Sequence, residues 1–74
     1  MQLSESLRRF RKAFNVTQRQ AAQAGGVIER NYQSYEYGKM IPTVTVIMGL
    51  ADKYGVSTDY LLGRVDSPSV LQGT

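Results

Sequence analysis

The sequence predicts a small all-α domain of five short helices. Three observations carry that reading. Glycines and turn residues divide the 74 residues into five short blocks. Within them, apolar residues recur at steps of three and four, the period of an amphipathic helix rather than the alternation of a strand. A Ser or Thr suited to cap a helix precedes the first, second, fourth and fifth blocks (Ser4, Thr17, Thr43, Ser57). A chain of this length makes one domain, with a core that is marginal but sufficient without covalent or metal staples.

The first block, Glu5 to Phe14 with Ser4 as its cap, extends an apolar line through Leu3, Leu7, Phe10 and Phe14. Arg8, Arg9 and Lys12 fall opposite that line, and Arg11 falls at its margin, where a partly buried ion pair fits. The second block opens on Thr17-Gln18-Arg19-Gln20, a capping box in which Thr17 and Gln20 each satisfy the other's backbone N–H. Its alanines (Ala21, Ala22, Ala24) permit close approach of another helix, and Gly25-Gly26 supply a sharp turn.

The third block, Glu29 to Tyr37, ends at Gly38. Tyr32 and Tyr35 share one side of it, and Glu29, Arg30, Gln33 and Ser34 the other. Val27 and Tyr32 are spaced as a hydrophobic staple. Ile28 falls at the cap, where a side-chain acceptor is preferred, at a cost of about 1 kcal/mol. The fourth block, Val44 to Tyr54, opens with a β-branched run that also suits a strand, but its length and the Thr43 cap favour a helix packing on Val44, Ile47, Met48, Ala51 and Tyr54. Thr58 to Leu62 forms the last helix, closed by Gly63. Residues 1–63 thus make the domain, and residues 64–74, with Val65, Val70 and Leu71 as their only apolar side chains, a short mobile tail.

Composition excludes several classes of function. With no Cys and no His, there is neither a disulfide framework nor a thiolate or imidazole metal site, and no metal or cofactor is expected. The six acids are scattered, no base stands beside a candidate nucleophile, and Gly25-Gly26 lacks the Lys-Ser/Thr of a nucleotide loop, so the chain is not expected to be an enzyme. No apolar stretch reaches a membrane span, and the start is not a signal peptide, so a soluble intracellular protein is expected. Charge is uneven: residues 1–40 hold seven Lys/Arg against three acids, a balance of +4, and residues 41–74 hold two against three. Such a half fits either a solvated basic surface or a face that meets negative charge. Binding of the Arg8-Arg9-Arg11-Lys12 cluster to an anionic membrane is disfavoured, because the apolar face of that helix belongs to the core.

Two short helices joined by a glycine turn, the second with an aromatic back and a polar front, form the pattern that reads duplex DNA. The major groove admits one helix, which must offer polar side chains to base edges while its back is locked in a core. The Thr17-Gln18 helix start offers free N–H groups to a phosphate, and Lys39 adds charge beyond the third helix.

From Leu7 to Gly63 the chain resembles the lambda-repressor/Cro-like, or Xre-like, helix-turn-helix proteins. The resemblance rests on an ordered set: Leu7-Arg8 with Arg11, Val16-Thr17-Gln18, Ala22, Gly26-Val27, Tyr35-Glu36 with Gly38-Lys39, Pro42, Leu50-Ala51, Gly55-Val56-Ser57, and Asp59 through Gly63. It implies a compact five-helix domain in a cytoplasmic, nucleoid-associated regulator of bacterial or phage origin. Such proteins bind operator DNA as homodimers on half-sites about 34 Å apart, commonly as repressors. By position, Gln18 lies at the phosphate backbone and braces the reading helix. Ile28, Glu29, Arg30 and Ser34 approach base edges, with Asn31 and Gln33 on the flanks. Arg11 and Glu36 match a structural ion pair, and Tyr60, Leu61 and Val65 are the expected dimer contacts.

The chain departs from that pattern at four positions. Ala21 and Gly25 stand where bulkier apolar residues are usual, removing core volume that must be refilled or tolerated. Ile28 replaces a phosphate-contacting hydroxyl. Glu29 puts a negative charge at the head of the reading helix, where it can accept from cytosine N4 but otherwise repels the backbone. The rival reading is a protein-interaction module of the antitoxin type, with a toxin or antirepressor as partner. Both a complete short regulator and a piece of a longer repressor fit the sequence.

Overall fold

Five α-helices follow one another in the computed structural model, which describes residues 2–69: α1 (Leu3–Ala13), α2 (Gln18–Gly25), α3 (Glu29–Glu36), α4 (Val44–Tyr54) and α5 (Thr58–Leu61). There is no strand among the described residues. Helix α1 starts two residues earlier than the sequence predicts. Gln2 rather than Ser4 is its cap, because the Glu5 carboxylate accepts the Gln2 N–H at 3.1 Å and so satisfies the first free donor of the helix. The other three expected caps form. Thr17, Thr43 and Ser57 accept from the N–H groups of Gln20, Val46 and Tyr60 at 3.0–3.3 Å.

Leu7 and Phe10 of α1, Tyr32 of α3, Leu50 of α4 and Leu61 of α5 are fully buried and form the centre of the core. Helix α2 packs on α3 and α4, while α1 packs on α3 and α5. The Phe10 ring meets Phe14 and Tyr54 at centroid distances of 5.4 and 5.3 Å.

The volume missing at Ala21 and Gly25 is refilled by bringing two helices together. A Cβ on Gly25 would stand 2.9 Å from Val46 Cγ1, and one on Gly49 would stand 2.4 Å from the Ala24 carbonyl oxygen. Helices α2 and α4 therefore touch almost backbone to backbone, and Val46 fills the space that a larger residue would take. This contact also sets which face of α4 is buried. Val46, Ile47 and Leu50 enter the core, whereas Val44 and Met48, expected inside, are 73% and 51% exposed.

Over its described part the segment after α5 makes contacts with the helices. Arg9 stacks over the Tyr60 ring at 4.3 Å. Its Nη2 donates to the Tyr60 and Val65 carbonyls at 2.8 and 3.2 Å. The Ser57 N–H donates to the Pro68 carbonyl at 3.0 Å. Polar backbone groups of residues 64–69 thus find partners on α1 and α5, which composition alone did not reveal. Val70 and Leu71 lie outside the described residues.

Candidate nucleic-acid interface

The turn between α2 and α3 is built by Gly26, whose φ of +75° suits glycine. It lets the Val27 N–H return to the Ala22 carbonyl at 3.0 Å, ending α2 and redirecting the chain within three residues. Helix α3 then lies with its back anchored in the core: Tyr32 is fully buried, Tyr35 nearly so, and their rings meet edge to face at 6.0 Å. Beyond α3, the Lys39 N–H donates to the Ser34 carbonyl at 2.9 Å, holding the backbone of Lys39 against the helix end.

Glu36, only 1% exposed, is the polar anchor of this unit. Arg11 donates to its two carboxylate oxygens from Nε at 2.7 Å and from Nη2 at 3.1 Å, a two-pronged pair joining α1 to α3. Gln18 Nε2 adds a third hydrogen bond at 3.2 Å, and Gln33 Nε2 donates to Gln18 Oε1 at 3.3 Å. Burial alone would push the Glu36 pKa up. The donated hydrogen bonds, from Arg11 first, outweigh it and hold the carboxyl below its ordinary value. The same partner raises the Arg11 pKa. Tyr32 is buried beside this group with no acceptor at hydrogen-bond geometry for its hydroxyl; burial first, then the nearby carboxylate, raises its pKa.

Most of the basic residues of α1 do not form a solvated patch. Arg8 donates to the Glu36 carbonyl, Arg9 clamps the segment after α5, and Arg11 holds Glu36; only Lys12 of that cluster is exposed. Periodicity put Arg8 and Arg9 opposite the apolar line, but it did not reveal that neighbouring elements close over them. The exposed cations of the helix-turn-helix unit are Arg19, Arg30 and Lys39.

The expected site residues divide into two groups. Gln18 donates to Glu36 and accepts from Gln33, so it ties α2 to two side chains of α3. Arg30 and Ser34 lie on α3 away from its buried tyrosines, with Asn31 half-buried at the flank; Glu29, expected on the same face, instead falls two turns before Glu36 on its side of the helix and is half-buried. Ile28 at the cap is 63% exposed and makes no side-chain cap. The Ser34 hydroxyl donates to the Arg30 carbonyl at 3.2 Å. Thr17 is exposed, with its hydroxyl engaged by Gln20, and the first-turn amides beside it precede any helical acceptor. Glu29 does not stand alone: Arg19 Nε lies 3.5 Å from its carboxylate, across the heads of α2 and α3. Sequence reasoning missed Arg19, because the pair spans two helices and no spacing rule within one helix reports it. Tyr60 and Leu61, expected at a dimer contact, are 3% and 0% exposed. The core of their own chain claims those side chains, which leaves Val65 as the exposed member of the expected set.

A helix-turn-helix with a locked, polar-fronted second helix is the scaffold of a DNA-binding transcriptional regulator, and the comparisons agree. Residues 7–61 match the family model described as Helix-turn-helix, and the chain belongs to that family, with the lambda-repressor/Cro-like order of motifs. It is 39% identical over 64 residues to the cryptic phage CTXphi transcriptional repressor RstR of Vibrio cholerae, an alignment covering 86% of this chain and 57% of that protein. It is 34% identical over 64 residues to the HTH-type transcriptional regulator ImmR of Bacillus subtilis, covering 86% and 50%. A crystal structure of a transcriptional regulator from Listeria innocua superposes with a TM-score of 0.74 at 28% identity, covering 96% of this chain and 64% of that one. The chain thus spans about half the length of the curated relatives it matches.

Proposed function

We propose that this domain binds double-stranded operator DNA in a sequence-specific manner, with α3 in the major groove and the start of α2 at the phosphate backbone. The observation that carries this is the two-faced construction of α3. Tyr32, Tyr35 and Glu36 lock one side into the core, while Arg30 and Ser34 stand on the other and Glu29 stands half-buried at the helix head. A helix that must enter a groove without changing its tilt needs such a rigid back. Gln18 and Gln33 act as braces in this reading, and Thr17, Arg19 and Lys39 face the phosphates. A repressor role is supported by the name of the Vibrio relative. Binding, rather than catalysis, is the activity.

The test is selection from a random-sequence duplex library, titrated across salt. The expected result is a two-fold-symmetric motif with a steep salt dependence. Arg30→Ala should then cost roughly 1–3 kcal/mol and relax preference at one position, as expected for an arginine on a guanine edge. Uniform weakening on all sequences would make Arg30 a phosphate contact, and no enriched motif would overturn the reading.

The homodimer is proposed on a face other than Tyr60 and Leu61. Ile41, Val44, Met48 and Leu62, with exposures from 39% to 82%, form an apolar groove with Leu3 and Pro42, and no charged side chain lines it. Exposed apolar surface of this kind marks an association site, and a two-fold pairing of identical patches brings no like charges together there.

A further inference from the structure

From the head of α3 we infer that Ile28 is a specificity-determining residue that reads the C5-methyl group of a thymine; the inference rests on the DNA-binding reading above and names one base it recognises. Three observations lead to it. Ile28 is among the most exposed large apolar residues of the domain, at 63%, and sits at the N-cap immediately before Glu29 and Arg30. Its backbone is extended, with φ −73° and ψ 155°, so the side chain neither continues the helix nor caps it. The position is also ill-suited to a phosphate: there is no hydroxyl, and the neighbouring Glu29 carboxylate already occupies the positive end of the helix, itself held by Arg19 at 3.5 Å.

An apolar side chain at the tip of a groove-entering helix has one complementary partner on a base edge. In the major groove of unmodified DNA the thymine C5-methyl is the one apolar group that projects from a base edge, cytosine offering only a C5–H at the same place. The contact would remove both the isoleucine branch and the methyl from water. That also accounts for a cap position that forgoes its usual hydroxyl.

The test uses the duplex motif enriched by the library selection. Each thymine is replaced singly by deoxyuridine, which deletes only the methyl, and binding is measured for the chain and for Ile28→Ala and Ile28→Val. One thymine per half-site should show a roughly fourfold loss on replacement, the worth of one buried methyl. The loss should persist in Ile28→Val and vanish in Ile28→Ala, which circular dichroism should show to be folded. If deoxyuridine has no effect at any position, or if Ile28→Ala retains the same loss, the assignment of Ile28 is overturned while the DNA-binding reading stands. If selection enriches no motif, both fall together.

Discussion

A carboxylate that is 1% exposed persists in this small core because Arg11 and Gln18 together donate three hydrogen bonds to it. Removing one member of a buried ion pair costs about 3–5 kcal/mol. The Arg11 side chain is 21% exposed and can regain water, so Glu36→Gln should cost about 2–3 kcal/mol at neutral pH. The sign of the pH dependence follows from the lowered Glu36 pKa. Its contribution is fully present above the unfolded carboxylate value of about 4.3 and is lost as pH falls through the folded value. Urea unfolding at a series of pH values should therefore show the gap between the chain and Glu36→Gln narrowing on acidification. A gap that stays constant down to pH ~3 would refute the assigned role.

Among the elements, the contact between α2 and α4 fixes where the reading unit sits. In a solvated helix, Gly→Ala gains about 1 kcal/mol. At Gly49 the added Cβ would stand 2.4 Å from the Ala24 carbonyl oxygen, so backbone must move. Gly49→Ala is therefore expected to destabilise by about 3 kcal/mol, the upper range for overpacking. A thermal melt in which the variant gains stability would show that the two helices are not so close. The segment after α5 depends on Arg9 in a similar way. Its ion pair with the fully exposed Asp66 contributes little, and its bond to the Val65 carbonyl is exposed, whereas its bond to the Tyr60 carbonyl is partly shielded. Arg9→Gln should speed hydrogen exchange of the Ser57 amide, which donates to the Pro68 carbonyl, several-fold. An unchanged rate would separate that segment from Arg9.

For the molecule as a whole, the unpaired feature is the apolar groove of Ile41, Val44, Met48 and Leu62. If two copies meet there, Val44→Lys places two like charges in one interface and should shift the dimer toward monomer at least tenfold in concentration, as read by sedimentation. Val44 is 73% exposed, so folding should be little affected. A dimer that withstands Val44→Lys would place the interface elsewhere. The basic character of the first half also changes meaning at this scale. Arg8, Arg9 and Arg11 hold elements together, and the exposed cations that remain on the helix-turn-helix unit are Arg19, Arg30 and Lys39. The salt slope of DNA binding should accordingly reflect the smaller set.

Helix number and order, the capping box at Thr17, the turn at Gly26 and the two faces of α3 were legible in the sequence, because each is set by residues within one or two turns of each other. Periodicity marked Arg11 as one half of a partly buried ion pair, but its partner Glu36 was legible only through resemblance to a family. What the tertiary structure decided is everything that depends on which elements meet. Val46 entered the core in place of Val44 because α4 turns to bring Gly49 against Ala24. Arg9 became a clamp because the segment after α5 folds back over it, and Glu29 acquired Arg19 from the neighbouring helix. Local periodicity tells which side of a helix is apolar, but only packing tells which neighbour claims it.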